Sequence, residues 1–383
     1  MGRIVLGLLV LVAIALTVFF FVLPGRIDAR MNQVIAHAPY PVSETAAGLH
    51  ARLRVADLHD DVLLWDRDVL KRAARGHEDL PRLEEGGFRL QVFSAVTKVP
   101  KNLNYDENTG DSDQVTLLTI AQRWPPRTWS SLLERAVYQS EKLHHAEAAS
   151  GGRLKIVRTK SDLSGALAGD ALAAILATEG AHPLEGKLEN LDRLYIAGYR
   201  VLGLHHFFDN ELGGSLHGQS GAGLTDFGRA VVIAAQDKGM IIDLAHSSEA
   251  VVRDVIELAR APLIVSHTGL KGDCDNARNI DDALMRDIAD RGGLIGVGFW
   301  DGAVCETSLQ AVVDAIVYAV GLVGADHVAL GSDFDGATTT PFDASEMAAL
   351  THALMAAGLD EATIAAVMGE NQIRFFAERL PAQ

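Results

Sequence analysis

The hydrophobic positions of the chain fall into eight short continuous runs, each followed by a polar or ionisable residue and then by an amphipathic stretch. The runs occupy residues 54–58, 88–93, 172–177, 200–204, 240–244, 262–266, 294–299 and 327–331. Continuous apolar runs that alternate with helical patterns are typical of parallel strands covered by helices on both faces. Eight such units predict an α/β fold, a (β/α)8 barrel of the TIM type, with an open doubly wound sheet as the alternative.

Residues that can cap helices, and one long gap between the apolar runs, indicate where the helices and an insertion lie. Thr225 and Ser248 each stand before an amphipathic stretch, as residues that cap the first turn of a helix do. An apolar stripe over residues 188–195 predicts a further helix. The segment from 94 to 169 is too long for a simple connection and has a helical pattern over 132–149. We therefore expect a long insertion after the second strand, at the end of the barrel that carries the chemistry.

Residues 4–23 form an apolar segment that only Gly7 and Thr17 interrupt. As a helix with a rise of 1.5 Å per residue it would be about 30 Å long, the thickness of a bilayer core. A cleaved signal peptide and a buried core helix are the alternatives. Signal peptides usually have a shorter apolar stretch that ends in small residues, and Phe19–Pro24 offers no such cleavage site. We therefore predict a retained single-pass membrane anchor over residues 1–24.

The rest of the chain is expected to divide into a connector over residues 25–50 and a barrel domain over residues 51–383. Arg3 precedes the apolar segment and Arg26 follows it, so the flanking charges barely specify its orientation. Because signal anchors commonly translocate the chain that follows them, we expect the barrel domain to face the periplasm or the outside of the cell.

Composition and charge exclude some classes of protein. The chain has 383 residues, of which 48% are hydrophobic, and this excludes a disordered protein. Fifty acidic side chains against 34 basic ones give a formal charge of −16, which repels phosphate backbones and argues against nucleic-acid binding. The two cysteines, Cys274 and Cys305, form no C-x-x-C pair. We expect two buried, inert thiols, with a single disulfide between them as the alternative.

Seven ionisable residues follow six of the eight apolar runs. They are His59, Asp61, Glu179, His206, His246, His267 and Asp333. One histidine near a strand end is more often a structural side chain than a ligand. All seven would nevertheless converge on one rim, because the carboxyl ends of barrel strands share one face. Burying so many ionisable groups together is costly without a cation to offset the carboxylates and bind the imidazoles. The pattern therefore predicts a metal site.

The types of these residues indicate hydrolysis at a pair of metal ions. His59 and Asp61, in a His-x-Asp pattern, project to the same side of an extended strand end and can reach one ion. Imidazole and carboxylate ligands without thiolates suit Zn²⁺, with Mn²⁺ or Co²⁺ as alternatives. Glu179 can bridge two ions about 3.5–4 Å apart, and Asp333 is a fitting acid and base for an attacking water.

Eight short motifs carry a resemblance to a known family. They are DLHDD at 57–61, HEDLPRL at 77–83, TEG at 178–180, IDLAHS at 242–247, VSHT at 265–268, RN at 278–279, GSDFDG at 331–336 and GEN at 369–371. On these motifs the chain resembles the membrane (renal) dipeptidase family, zinc metallopeptidases with an amidohydrolase-like barrel. The resemblance extends from about Asp57 to Phe376. It implies hydrolysis of small peptides, two zinc ions per chain and, as is frequent among relatives, a homodimer.

The resemblance also implies which residues hold the metals. His59 and Asp61 would hold one zinc, His246 and His267 would hold the other, and Glu179 would bridge them. A related barrel amidohydrolase that acts on another amide, lactam or ester is the alternative function. A catalytically inactive, membrane-tethered binding protein is less expected, because all the presumptive ligands are present.

The remaining implied roles concern the substrate. Asp333 would transfer protons, and His206 would polarise the scissile carbonyl or stabilise the oxyanion. Arg278 would clamp the free carboxylate of the substrate, which limits the chain beyond the scissile bond and so favours dipeptides. Two departures from the family pattern stand out. Asp60 replaces a frequent Asn and adds negative charge, and residues 205–210 (HHFFDN) suggest a more aromatic pocket.

Overall fold

The fold is described from a computed structural model, which covers residues 2–382. Its strands are β1 Gln33–Val34, β2 Val55–Asp60, β3 Phe88–Val96, β4 Leu154–Ile156, β5 Leu172–Glu179, β6 Tyr199–Gly203, β7 Ile241–Asp243, β8 Ile264–Thr268, β9 Leu294–Val297, β10 Val328–Leu330 and β11 Thr339–Thr340. Eight of them pair in parallel in the order β3-β2-β10-β9-β8-β7-β6-β5, and a further pairing of β3 with β5 closes the circle. This closed barrel confirms the predicted fold class over the open sheet.

Helices surround the barrel. They are α1 Gly2–Thr17, α2 Leu23–Met31, α3 Glu44–His50, α4 Leu80–Glu85, α5 Val115–Ala121, α6 Leu132–Ala149, α7 Lys160–Ala168, α8 Asn190–Ala197, α9 Asp226–Asp237, α10 Glu249–Leu258, α11 Asp282–Ala289, α12 Asp301–Val304, α13 Leu309–Val323, α14 Met347–Ala356, α15 Glu361–Ala365 and α16 Asn371–Arg379. Short π-helical turns join α1 to α2 and α15 to α16. Each predicted apolar run coincides with one barrel strand to within a few residues.

Side chains along the barrel strands alternate between the interior and the helical layer. In β5, Ala173, Ile175 and Ala177 pack into the apolar cluster inside the barrel. Leu176, between them, packs into the larger cluster under the helices. The same two-residue period brings Glu179, the last residue of β5, to the open carboxyl end of the barrel interior.

The predicted helix ends are largely confirmed. Thr225 caps α9 and Ser248 caps α10, since each side chain accepts a hydrogen bond from a backbone N–H of the first turn, at 3.0 and 3.1 Å. The helix predicted within the insertion is α6, with the predicted bounds. The stripe predicted from residue 188 is wrong at its start. Helix α8 begins at Asn190, so Leu188 lies in the preceding turn, where it is 40% exposed.

The N-terminal segment is one continuous helix, Gly2–Met31, which is 30 residues long and apolar enough to cross a membrane. Its most apolar 18-residue window is not buried against the rest of the protein, which excludes the core-helix alternative. A membrane anchor and a signal sequence both satisfy this description.

The base of this helix is bound to the barrel domain. The helix continues through Pro24, which follows the π-helical turn Val18–Val22 and has no N–H to donate to the carbonyl oxygen of Phe20. That carbonyl oxygen instead accepts a hydrogen bond from Arg123. Asp28 is buried, and its Oδ2 accepts a hydrogen bond from Nε of Arg75 at 2.6 Å. The same oxygen lies 3.2 Å from Nε of Arg67. Beyond the helix, β1 pairs with β11. The expected connector therefore packs onto the barrel.

The expectation of two inert thiols is wrong, because Cys274 and Cys305 form a disulfide with their Cα atoms 5.6 Å apart. Cys274 lies in the loop after β8, and Cys305 follows α12 in the segment after β9. Strands β8 and β9 are neighbours in the barrel, so their outgoing loops meet. The bond ties down the loop that carries Arg278.

Candidate metal centre

The barrel brings together all seven ionisable residues predicted from the sequence. His59 and Asp61 lie at the end of β2, Glu179 ends β5, His206 follows β6, His246 follows β7, His267 lies in β8 and Asp333 follows β10. None of the seven is more than 7% exposed. Residues spread over most of the chain thus form one buried cluster at the carboxyl ends of the strands.

The carboxylate of Glu179 lies in the middle of this cluster. Its Oε1 is 3.2 Å from Nε2 of His246 and 3.4 Å from Nε2 of His267. The same Oε1 is 3.6 Å from Nε2 of His59, and Oε2 is 3.2 Å from Nε2 of His206. A carboxylate with imidazole nitrogens on all sides is positioned to bridge two ions.

His59 joins the remaining carboxylates to the cluster. Its Nε2 lies 3.6 Å from Oδ1 of Asp61 and 3.8 Å from Oδ1 of Asp333. On the other side, the Nε2 atoms of His246 and His267 are 2.9 Å apart. Three groups have ligand atoms that all lie within 4.8 Å of one another: His59–Asp61–Glu179, Glu179–His206–His246 and His59–His267–Asp333.

Several of the ligand atoms are buried and lack a hydrogen-bond partner among the described residues. They include Nε2 of His59, Oδ1 of Asp61 and Oε2 of Glu179. A buried polar atom without a partner costs roughly 1–3 kcal/mol, so native proteins rarely leave several together. Divalent cations would satisfy these atoms, and the imidazole and carboxylate donors suit zinc, manganese or cobalt. The residues present therefore fit metal ions.

The electrostatics of the cluster agree with this fit. Burial raises the pKa of Glu179 well above its ordinary value and that of Asp333 to about 8, and the negative charge of Asp61 adds to both. Burial opposes the charged form of His59, but the neighbouring carboxylates, Asp61 first, outweigh burial and raise its pKa to about 10. The raised pKa values of Glu179, Asp333 and His59 all show that negative charge in this cluster lacks a nearby positive charge to balance it.

The other three histidines of the cluster behave differently. Burial lowers the pKa values of His206, His246 and His267 well below 6.5, and neighbouring cationic groups lower them further. These imidazoles are therefore neutral at ordinary pH. A neutral imidazole is the form that binds a metal ion or donates a hydrogen bond from one nitrogen only.

Two carboxylates inside the strands hold the loops that carry the cluster. Asp57 accepts hydrogen bonds from the backbone N–H of Ser332 at 2.9 Å and from its hydroxyl at 2.5 Å. Asp243 accepts from the backbone N–H groups of Ser266, at 2.9 Å, and Ala245, at 3.0 Å. Each carboxylate thereby fixes a residue next to a cluster member. Neither was predicted from the sequence, although both stand in the DLH and DLAH motifs.

The backbone is strained at two members of the cluster. His246 has a φ of +61° and Asp333 a φ of +58°, in the left-handed region that residues with a Cβ seldom adopt. Such conformations cost roughly 1–3 kcal/mol and persist where the surroundings enforce them, often at functional sites. The sequence carried no signal for this strain at His246.

Arg278 lies at the edge of the cluster with a fully buried guanidinium. Its Nη2 donates to the carbonyl oxygen of His267 at 3.1 Å, and the group lies 5.2 Å from the ring centre of Trp300. The indole N–H of Trp300 donates to the hydroxyl of Tyr105 at 2.9 Å. Nη1 has no hydrogen-bond partner within residues 2–382. Trp300 and Tyr105 line the cavity over the cluster and were missed, because neither stands in a recognisable motif.

The two adjacent histidines after β6, His205 and His206, have side chains that point to different partners. His206 turns toward Glu179, whereas Nδ1 of His205 lies 3.1 Å from the hydroxyl of Ser247. Phe207 lines the cavity and lies 4.9 Å from His246, ring centre to ring centre. The aromatic character predicted for this part of the pocket is therefore present.

Asp60, the other residue that departs from the pattern of the family that the chain resembles, is fully buried behind the cluster. Its Oδ1 accepts a hydrogen bond from the backbone N–H of Val62 at 2.9 Å. Burial raises its pKa well above the ordinary value, and Asp61 adds to this effect. Burial therefore disfavours the charged form of Asp60 and opposes the added negative charge that the sequence suggested beside the site.

A closed parallel barrel with buried histidines and carboxylates at its carboxyl rim is typical of metal-dependent hydrolases. Comparison with known families makes the assignment specific. The family model described as "Membrane dipeptidase (Peptidase family M19)" matches residues 43–381. The chain belongs to this family and is a hydrolytic metallopeptidase, as the motifs predicted.

Known relatives are similar over most of the chain. Dipeptidase 3 of Macaca fascicularis is 26% identical over 329 residues, which are 79% of this chain and 64% of the relative. The crystal structure of a metallopeptidase named dipeptidase AC is 26% identical, with a TM-score of 0.71, and the match covers 86% of this chain and 99% of that one. A Rhodobacter sphaeroides metallopeptidase, solved with a phosphinate mimic of the dipeptide L-Ala-D-Ala, is also 26% identical, with a TM-score of 0.69 and the same coverage.

Proposed function

We propose that this chain hydrolyses dipeptides at a centre of two zinc ions, with manganese or cobalt as alternative metals. The observation that carries the proposal is the position of Glu179, whose two carboxylate oxygens lie 3.2–3.6 Å from the Nε2 atoms of four histidines. His59 and Asp61 would hold one ion with Glu179, and His246 and His267 would hold the other. When bound, the ions would supply Lewis-acid polarisation of the scissile carbonyl and a more acidic water.

The side chains around the metals perform the remaining steps. Asp333 accepts a proton from the attacking water at its carboxylate and passes it to the leaving amine. Burial raises the pKa of Asp333 to about 8, so this carboxylate binds a proton more readily than an exposed aspartate does, as a group that takes up a proton and passes it on requires. His206 is neutral, so its N–H can donate a hydrogen bond to the oxygen of the scissile carbonyl as negative charge develops there.

Arg278 would bind the free carboxylate of the dipeptide. Its Nη1 is buried without a partner among the described residues, and Trp300 supports the plane of the guanidinium. A planar guanidinium pairs with a carboxylate through two parallel hydrogen bonds. Fixing the carboxylate next to the metals leaves space for only one residue beyond the scissile bond. The phosphinate dipeptide mimic bound to the Rhodobacter sphaeroides relative supports the same substrate class here.

We also propose that the N-terminal helix stays attached as a single-pass anchor and that the barrel faces the periplasm or the cell exterior. The disulfide between Cys274 and Cys305 supports this orientation, because disulfides persist in oxidising compartments and are rare in the cytosol. The burial of Asp28 against the barrel supports retention, since cleavage near Pro24 would cut into a packed helix.

Dipeptide hydrolysis and metal content test the central proposal together. Full-length protein in lipid nanodiscs is assayed with a panel of L,L- and L,D-dipeptides before chelation, after chelation and after zinc is returned. We expect about two metals per chain by elemental analysis, loss of turnover on chelation and recovery with zinc. Full activity in metal-free protein, or metal-loaded protein that cleaves none of the dipeptides, would overturn the proposal.

A further inference from the structure

The cavity over the metal cluster extends beyond the cluster to the N-terminal helix. It has a volume of about 340 Å³, within the range of about 300–1,000 Å³ typical of sites for drug-sized ligands. Asp61, Glu179 and Asp333 line one end of it. The other end runs along the N-terminal helix, where its wall consists of Phe19, Leu23, Ile27 and Met31.

The wall opposite the helix is also apolar and comes mainly from the insertion after β3. Val115 and Leu118 of α5 face the cavity, together with Val99 and Leu103 of the preceding loop. Trp65 closes the side near the cluster. We call this apolar part of the cavity, between α5 and the N-terminal helix, the helix channel. A dipeptide of small residues would leave it empty.

The helix that forms this channel is held firmly in place. Asp28 binds Arg75 and Arg67, as described above, on the turn that also carries Ile27. Higher on the helix, Arg123 donates to the carbonyl oxygen of Phe20, and its guanidinium lies 4.7 Å from the ring centre of Phe21. The channel wall is therefore part of the folded barrel domain.

We propose that the helix channel selects amphiphilic substrates, namely dipeptides whose N-terminal residue carries a long unbranched apolar chain. The inference rests on the proposed dipeptidase function. The polar amide and carboxylate bind at the metal cluster and Arg278, and the apolar chain lies in the channel against Ile27 and Leu118. The membrane helix is thus a determinant of substrate specificity as well as an anchor.

The position of the channel assigns the apolar chain to the N-terminal residue. Arg278, the carboxylate clamp, contacts His267 and Trp300. The apolar wall instead includes Leu64 and Trp65, which lie three and four residues after Asp61 and belong to the apolar cluster against which Ile27 and Leu118 pack. A substrate with its carboxylate on Arg278 therefore directs its amino end toward the channel.

The membrane helix also explains how such a substrate reaches the site. A 30-residue helix is about 45 Å long, whereas a bilayer core is about 30 Å thick. Phe19 and Leu23 belong to the end of the apolar segment 4–23, and Ile27 and Met31 follow it, so the channel would extend from the lipid boundary toward the barrel. An apolar chain can therefore move from the bilayer surface into the channel without prolonged exposure to water.

Substrate length tests the channel. The series Xaa-Ala, in which Xaa carries a linear side chain of one, four, six or eight carbons, is assayed with full-length protein in lipid nanodiscs. Each buried methylene contributes about 0.8 kcal/mol, so we expect kcat/KM to rise by up to about fourfold per added carbon. Binding of the same dipeptides to metal-free protein, measured by calorimetry, reports the channel independently of turnover.

Variants that fill the channel complete the test. Ile27→Trp on the helix and Leu118→Trp on α5 block it from opposite walls, and each should reduce the dependence on chain length to near zero in both assays. Ala29→Trp lies on an exposed position of the same helix and should keep the wild-type dependence.

The outcomes separate this proposal from the dipeptidase proposal. Hydrolysis of Ala-Ala with no dependence on chain length would overturn the channel and leave the dipeptidase intact. Length-dependent binding without hydrolysis of any member of the series would support the channel and overturn the dipeptidase. Wild-type length dependence in both Trp variants would also overturn the channel.

Discussion

Replacing Arg278 tests whether the site recognises a free carboxylate. Arg278→Met keeps a similar length of side chain and removes all the hydrogen-bond donors of the guanidinium. A hydrogen bond to a charged group contributes about 1.5–3 kcal/mol, and two such bonds to a carboxylate about 3–5 kcal/mol. Because the guanidinium is fully buried, salt would screen this interaction little. At about 1.4 kcal/mol per factor of ten, kcat/KM for Ala-Ala should fall about 10²- to 4 × 10³-fold.

The assay compares two substrates that differ only at the carboxyl end. Ala-Ala and its C-terminal amide are hydrolysed by the wild type, by Arg278→Met and by Arg286→Met, which replaces an exposed arginine on α11. We expect Arg278→Met to lose most of its activity on Ala-Ala and little of its activity on the amide. The control should resemble the wild type on both.

Arg278 also supports the fold, so structure has to be measured in parallel. Its Nη2 donates to the carbonyl oxygen of His267, and the variant loses that bond. Circular dichroism and metal content show whether the variant keeps its structure. Equal losses on Ala-Ala and on the amide, in a folded and metal-loaded variant, would refute the carboxylate clamp.

Three further predictions address the metals, the disulfide and a half-buried lysine. Glu179→Gln should reduce bound metal below two ions per chain and lower kcat/KM by at least about 100-fold, and full metal occupancy by elemental analysis would contradict the bridging role. Replacing Cys274 and Cys305 together by Ser opens a link that spans 31 residues and should lower the free energy of unfolding by about 3–4 kcal/mol in urea titrations, whereas an unchanged midpoint would argue against the bond. Burial lowers the pKa of Lys142 to about 7, so from there to its unfolded value near pH 10 the folded state binds fewer protons and stability rises with pH. Lys142→Met should lack this rise, and parallel stability profiles for the two proteins would contradict it.

The cluster was predictable because parallel strands impose a simple rule on position. Residues that follow buried strands meet at one rim, so His59, Glu179 and His267 could be grouped from their places after apolar runs alone. The same rule could not place the residues that reach the rim from elsewhere. Tyr105 belongs to the insertion, and Trp300 follows β9, a strand after which the sequence pattern placed no candidate ligand.

Other features escaped prediction because they depend on contacts between distant segments. The disulfide joins two loops that only the pairing of β8 with β9 brings together, and no spacing rule links Cys274 to Cys305. The continuation of the N-terminal helix beyond Pro24 depends on the burial of Asp28 against Arg67 and Arg75. Local sequence marks Pro24 as a stop, and the packing overrides it.

The attachment of α2 to the barrel has a practical consequence for producing the protein without its N-terminal apolar helix. A chain that begins at residue 44, near the start of the family match, would lack the surface that covers Val115 and Leu118. Newly exposed apolar area of this kind promotes association in solution and recruits detergent. A chain that begins at Leu23 keeps Ile27, Asp28 and Met31 and omits most of the apolar turns of the helix. This shorter form keeps three of the four helix residues of the cavity wall and lacks only Phe19.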